Sequence, residues 1–133
     1  MSLQNVIEEM VIKSLEDGQY YREITFGLSD LTVKRLKKDT SLNFSGYIGV
    51  IDSDHVRHIN RRHPKHVILI KYAPKILDQY DSAEKSLTRN QQTGQTEVSL
   101  VIKKRFGEYL IQMVKLRIMK KKRLLLKTMF VRD

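Results

Sequence analysis

The side chains best suited to chemistry are concentrated in one stretch, DSDHVRHINRRHPKH, at residues 52–66. All four histidines of the chain lie there, together with four arginine or lysine residues. Imidazole is the side chain that titrates nearest neutral pH, and guanidinium offers paired N–H donors that match phosphate oxygens. The stretch therefore indicates proton transfer, anion binding, or both.

Local sequence signals place this stretch on a short helix. Asp52 or Ser53 is a good N-cap, and residues 54–62 follow as the helix. Pro64 disfavours helical geometry at His63, so we expect the helix to end near residue 62 or 63.

On this helix the polar residues separate from the apolar ones. His55, His58 and Arg62 are spaced i, i+3 and i+7 and share one face, while Val56 and Ile59 point elsewhere and can anchor the helix to a core. The sequence therefore predicts a cationic, imidazole-bearing face held in place by an apolar one.

The residues before this helix predict two further helices and two strands. Apolar spacing favours an amphipathic helix over residues 2–16, and β-branched and aromatic residues favour a strand over 20–26. Ser29 is a good N-cap for a helix over about 30–38. Residues 47–51 form a short apolar strand that leads directly into the histidine helix.

The segment after Pro64 is less regular. Residues 66–72 are apolar enough for a buried helical turn, and residues 75–80 favour another short helical piece after Pro74. Residues 82–87 are ambiguous between helix and strand. Residues 89–94 predict a polar loop or hairpin tip.

Three strand-like runs close the chain, at about 97–104, 109–118 and 123–131. Strict alternation in the last run would place Leu124, Leu126, Thr128 and Phe130 on one face of the sheet. We therefore predict an α+β fold in which N-terminal helices pack on a C-terminal antiparallel sheet of three to four strands, within a single domain spanning 1–133.

Composition limits the classes of function. With 133 residues, 41% of them hydrophobic, the chain can form one core. It has no apolar run long enough to cross a membrane, no signal-peptide pattern and no cysteine, which agrees with a cytoplasmic protein. The net charge of +10 favours a polyanionic partner, either nucleic acid or, much less, a membrane surface.

Basic residues are densest near the C-terminus. Ten basic side chains and one acidic one, Glu108, occur between Lys103 and Lys127. They are consistent with a solvated sheet edge that resists edge-to-edge pairing. They are equally consistent with a surface that follows a phosphate backbone.

The segments YIGVIDSDHVRHINRRHP and LLLKTMF resemble the phage-type branch of the barnase–EndoU–colicin–RelE-like ribonuclease superfamily. The resemblance covers about residues 26–130 and rests on the histidine run after a strand and on a threonine in the last strand. It implies metal-independent RNA cleavage without a cofactor, through attack of a 2′-hydroxyl on the adjacent phosphate. It also leaves room for an immunity or inhibitor protein; the oligomeric state is left open.

The resemblance also implies roles for particular residues. His58 and His63 match the family's two histidines, Thr128 matches its hydroxyl residue, and Arg62 adjoins them as a further catalytic candidate. Lys127 adjoins Thr128 and His55 is a plausible addition. We expect four residues to bind substrate: His55, Arg61, Lys103 and Lys127.

Other interpretations remain open at the level of sequence. The four histidines, with Asp52 or Asp54, could bind zinc, although all-histidine sites are uncommon. The histidines and Thr128 could instead be structural, with their polar atoms bonded to the backbone. The basic surface could belong to a non-catalytic nucleic-acid-binding domain.

Overall fold

A computed structural model describes residues 2–132. Helices and strands alternate in the first half of the chain, and strands dominate the second half. In chain order the elements are α1 (Leu3–Glu16), β1 (Glu23–Gly27), α2 (Asp30–Thr40), β2 (Ile48–Asp52), α3 (Ser53–Arg62), a 3₁₀ helix (Val67–Tyr72), α4 (Ala73–Asp78), β3 (Ser82–Arg89), β4 (Thr96–Phe106), β5 (Tyr109–Ile118) and β6 (Arg123–Arg132).

The capping signals of the helices are confirmed. The Ser29 side chain accepts a hydrogen bond from the N–H of Thr32 at 3.1 Å, at the start of α2. Asp52 accepts one from the N–H of His55 at 2.9 Å, at the start of α3, and α3 ends with His63 as its C-cap. The side chains of Ser29 and Asp52 thus satisfy N–H groups that have no partner within the helix.

All six strands form one sheet in the order β1-β2-β6-β5-β4-β3. The α+β class is confirmed, but the predicted count of three to four strands is wrong. The ambiguous segment after residue 81 is an edge strand, β3, and the two N-terminal strands join the sheet through a parallel pairing of β2 with β6. That pairing links residues more than 70 positions apart, and no local pattern encodes it.

The helices cover one face of this sheet. Residues from α1, α2, α3, the 3₁₀ helix and α4 share a single buried hydrophobic cluster with Leu100, Met113, Leu124, Leu126 and Met129 of the strands. We call this the core face and the opposite one the outer face. Because paired residues of neighbouring strands point to the same side, the pairing register assigns every strand residue to one of them.

A β-bulge in β6 breaks the predicted alternation of the last strand. Lys115 pairs with Leu126, whereas Val114 pairs with Thr128, so Lys127 is an extra residue without a partner in β5. Leu126 and Met129 are both buried in the core, and Thr128 points to the outer face. The prediction that Thr128 shares a face with Leu124 and Leu126 is therefore wrong.

The interpretation of the C-terminal basic residues as a solvated sheet edge is also wrong. Strands β4 and β5 lie inside the sheet, β6 is covered by β2 over residues 123–125, and the outermost strands are β1 and β3. Lys115, in β5, is fully buried, while Lys104 and Arg123 form ion pairs with Asp81 and Glu23. The ten basic residues are thus not one uniform surface.

Candidate functional site

The histidine helix lies beside the sheet, at the point where β2 ends. β2 pairs only with Arg123, Leu124 and Leu125 of β6, and the chain then turns into α3, which packs against the rest of β6. Because Asp52 is both the last residue of β2 and the cap of α3, the strand fixes where the helix starts. The candidate site is formed at this junction of α3 with β6.

Contacts to the N-terminal segment fix α3 on its other side. The guanidinium of Arg57 donates from Nε to the carbonyl of Ser14 at 3.0 Å, and from Nη2 to the carbonyls of Asp17, at 3.1 Å, and Tyr20. Ser53, fully buried, bonds the hydroxyl of Ser14 at 2.8 Å. Arg57 therefore holds the helix in place, and its donors are occupied by these carbonyls and, at Nη1, by the carboxylate of Asp54 at 3.3 Å.

His55 is oriented by a carboxylate. Its Nδ1 lies 2.8 Å from Oδ1 of Asp52, and both side chains are largely removed from solvent, with 30% and 12% of their surface exposed. Burial opposes ionisation of Asp52, but hydrogen bonds from the His55 ring and backbone outweigh it and hold the pKa of Asp52 below its ordinary value. The contact through Nδ1 leaves Nε2 as the ring atom able to meet a ligand.

His58 lies one turn further along the helix in a different electrostatic environment. Partial burial lowers its pKa, and the nearby positive charges of Arg62 and Arg61, with smaller effects of His55 and Lys127, lower it further. His58 is therefore mainly neutral at neutral pH. A neutral imidazole can accept a proton.

His63 and His66 form a row of stacked rings with Phe130. The His63 ring lies 4.8 Å from the Phe130 ring, with 20° between their planes, and 5.9 Å from the His66 ring, with 16° between planes. Nδ1 of His66 accepts the N–H of Val131 at 3.2 Å. The row thus runs along the free edge of β6, and His66 has the structural contact that a backbone-bonded histidine would make.

Thr128 and Lys103 lie on the outer face near this row. Thr128 precedes Phe130 by two residues and points to the same side, while Lys103 and Phe130 flank Gln112 in one row across β4, β5 and β6. Adjacent strands lie about 4.8 Å apart, so Lys103 is roughly 10 Å from Phe130 at the backbone. The structure places His63, Thr128 and Lys103 around one part of the outer face.

The remaining candidates fall into two groups. Arg61 and Arg62 are exposed on the last turn of α3, and Lys127, half-buried in the bulge, is close enough to influence His58 electrostatically.

A second feature adjoins the site: His66 lines a cavity of about 620 Å³, and the lining does not include His55, His58 or His63. Within residues 2–132, no group of three or more His, Asp or Glu side chains is placed to hold a metal ion.

Two contacts of the site were not part of the sequence prediction. Asp52 was considered only as a cap or a metal ligand, although its D-x-x-H spacing with His55 is a recognisable signal for an ion pair at i, i+3. Phe130 as the platform for His63 had no local signal, because the two residues are brought together only by the fold.

The fold and site together define a basic α+β domain in which an imidazole-bearing helix flanks the middle of a mixed sheet. Residues 28–133 match the family model described as phage-Barnase-EndoU-ColicinE5/D-RelE like nuclease3, and the chain belongs to this nuclease family. The predicted resemblance is thereby confirmed. No curated protein and no solved structure matches the chain. In the part of the chain that the structure describes, no helix combines the length and apolar character needed to span a membrane.

Proposed function

We propose that the protein is an endoribonuclease that cleaves RNA by attack of a ribose 2′-hydroxyl on the adjacent phosphate. The observation that carries the proposal is the pair His55 and His58, one helical turn apart and in different electrostatic environments. Side chains at i and i+3 have Cβ atoms about 5–6 Å apart, a separation that lets two imidazoles flank one phosphate. Two titratable groups with contrasting environments are the usual basis for dividing acid and base roles.

The proposed reaction transfers two protons. Neutral His58 accepts the proton of the 2′-hydroxyl while the 2′-oxygen bonds to phosphorus. The bond from phosphorus to the 5′-oxygen breaks, and protonated His55 gives its Nε2 proton to that oxygen. The products are a 2′,3′-cyclic phosphate and a 5′-hydroxyl, and Asp52, 2.8 Å from Nδ1, holds the His55 ring with Nε2 free for this transfer.

Cationic and hydroxyl groups around the pair would stabilise the charge that develops on the phosphate. Arg62 and Lys127 are the nearby cations that already lower the pKa of His58. Thr128 presents a half-buried hydroxyl on the outer face. Such groups contribute most when they are held in position before the reaction, because they then need no reorganisation in the transition state.

His63 has a different proposed role. Its ring stacks with both Phe130 and His66, an arrangement that fixes the ring and leaves its edge, with the two nitrogens, to contact substrate. We therefore assign His63 to substrate binding, with Arg61 and Lys103 as further phosphate contacts. This assignment predicts that His63→Ala raises KM more than it lowers kcat.

The test is cleavage of single-stranded RNA in the presence of EDTA, followed by analysis of the fragment ends. Cyclic phosphate ends, no cleavage of DNA of the same sequence, and loss of activity in His55→Ala and His58→Ala are expected. Activity that EDTA abolishes and zinc restores would replace this mechanism with a metal-dependent one. Salt-sensitive RNA binding without any cleavage would instead favour a non-catalytic RNA-binding domain.

A further inference from the structure

The cavity beside His66 lies at one end of the ring row, next to the segment that follows α3. One wall comes from the 3₁₀ helix and α4, with Leu69, Tyr72 and Lys75. The other comes from the hairpin of β4 and β5, with Phe106 and Tyr109. Its volume of about 620 Å³ is within the range of ordinary small-molecule sites.

The side chains that line the cavity favour one chemical class of ligand. Three aromatic rings, those of Tyr72, Phe106 and Tyr109, face the cavity together with apolar side chains, and its charged members are Lys65 and Lys75. Among residues 2–132, no acidic side chain is part of the lining. A flat, uncharged ring system attached to a negative group fits such a surface, because the rings stack and the lysines attract the charge.

Tyr109 is unusually available for such a ligand. It is 63% exposed, and Phe106, across the turn of the same hairpin, is 38% exposed. Aromatic side chains at a cavity mouth leave apolar surface in contact with water, which is unfavourable in free energy. A ligand that stacks on these rings would remove that surface from water. The pair is held on a two-stranded turn whose register is fixed by the pairing of Phe106 with Tyr109.

The cavity adjoins the candidate catalytic site through His66. His66 lines the cavity, its ring faces His63, and His63 lies five residues after His58. Five residues of helix rise about 7.5 Å, which is the distance along the helix from His58 to His63. A short stretch of extended single-stranded RNA can span this distance and continue past His66 to the cavity. A strand whose phosphate lies between His55 and His58 can therefore reach the cavity with a nearby base.

We propose that this cavity is a nucleobase-binding subsite, which takes an unpaired base of the RNA strand a short distance from the scissile phosphate and stacks it on Tyr109. The inference rests on the proposed function, because it identifies the occupant as part of the same substrate. Lys65 and Lys75 would contact the phosphates that flank this base. A subsite of this kind restricts the enzyme to single-stranded or looped RNA, because a paired base cannot leave its helix without unstacking.

The experiment measures binding of wild-type protein to a short single-stranded RNA in which every ribose carries a 2′-O-methyl group. The modification blocks 2′-hydroxyl attack, so binding is measured without cleavage. A set of oligonucleotides places one abasic residue at each position in turn. Fluorescence anisotropy at fixed salt gives Kd for each oligonucleotide with wild-type, Tyr109→Leu, Tyr109→Phe and Leu31→Ala proteins.

We expect one or two abasic positions to weaken wild-type binding by roughly 5- to 150-fold. Tyr109→Leu should weaken binding of the intact strand by a similar factor. In this variant the abasic residue should weaken binding no further, because both changes remove the same stacking contact. Tyr109→Phe keeps the ring and should bind as wild type does. Leu31→Ala alters another exposed apolar residue, 67% exposed on α2, and should also bind as wild type does.

Two results would overturn the subsite. One is that Tyr109→Leu binds the intact RNA as tightly as wild type does. This result would overturn the subsite even if Tyr109→Leu disrupted a dimer or a protein complex. The other is an abasic effect of undiminished size in Tyr109→Leu. Failure of the proposed function appears separately, as absence of cleavage of unmodified RNA, since the binding assay requires no catalysis.

Discussion

Two cationic regions of this molecule differ in almost every physical respect. On α3 and the bulge of β6, the positive groups are exposed or half-buried and surround two imidazoles. In β5, Lys115 is 0% exposed, its Nζ has no hydrogen-bond partner within residues 2–132, and it lies 5.1 Å from the centre of the Phe26 ring. The first region keeps its charges available for a ligand, whereas the second conceals one.

Burial, without any neighbouring charge, accounts for the lowered pKa of Lys115, and this distinguishes Lys115 from the cationic groups of the helix region. Desolvation alone lowers the pKa of Lys115 to about 7, so much of the Lys115 population is neutral at neutral pH. In the helix region, burial also lowers the pKa of His58, but several positive groups lower it further, and they do so because they remain charged. A count of basic residues therefore overstates the surface available to a polyanion.

The largest expected effect is on catalysis. If His58 is the general base, His58→Ala should lower kcat/KM for RNA cleavage by about 10²–10⁴-fold, because general-base catalysis contributes that much. Thermal unfolding should change little, since the ring is only half-buried. Rates and melting curves of both proteins check this, and near-wild-type cleavage by the variant would remove His58 from the mechanism.

The second effect concerns stability and should run in the opposite direction. Lys115→Met replaces a buried amine by an apolar side chain of similar length, and we expect it to raise the free energy of unfolding by roughly 2–4 kcal/mol at pH 7 or below. Lys127→Met, a half-buried lysine on the neighbouring strand, serves as the control and should stay within about 0.5 kcal/mol. Urea unfolding of both variants measures the two values.

The pH dependence of that effect gives an independent check. Between about pH 7 and 10.5, the unfolded chain binds a proton at Lys115 that the folded chain does not, so Lys115 makes wild-type stability rise with pH in this window. The advantage of Lys115→Met should accordingly be largest below pH 7 and shrink towards pH 10. An advantage that does not change with pH would mean that the pKa of Lys115 is the same in the folded and unfolded chains, as expected for a lysine that is not buried.

A smaller loss of activity should follow from changing the partner of His55. Asp52→Asn keeps an oxygen that can cap α3 but removes the carboxylate charge that lies 2.8 Å from Nδ1 of His55. We expect cleavage to fall by roughly 10–100-fold with stability nearly unchanged. Asp52→Ala removes the cap as well and should also cost about 1 kcal/mol of stability. Equal activity of Asp52→Asn and wild type would leave the ion pair a structural feature only.

Sequence patterns were sufficient where the determinants are local. The histidine helix followed from Asp52 and Pro64, and the second helix from Ser29, because capping and proline effects act over a few residues. The burial of Lys115 and the face of Thr128 could not be predicted, because their determinants are not local. A bulge at Lys127 reverses the facing of Thr128, and the buried Nζ of Lys115 lies 5.1 Å from the Phe26 ring, which crosses Gly49, where a Cβ would lie 2.3 Å from the ring. Such three-dimensional contacts leave no periodic trace in the sequence.

The smallest effect separates neighbouring charge from burial at His58. Arg62→Gln removes the largest of the charges that lower the pKa of His58 but leaves its burial intact. The acidic limb of the kcat/KM profile reports the free enzyme's base, so in wild type it should lie below pH 6.5 and in Arg62→Gln it should move upwards, by a fraction of a pH unit. Raising the salt concentration should move the wild-type limb in the same direction and the Arg62→Gln limb less, because salt screens charges on the surface and has little effect on desolvation. A limb that ignores both changes would assign the depression to burial alone, which would make His58 and Lys115 two examples of one effect.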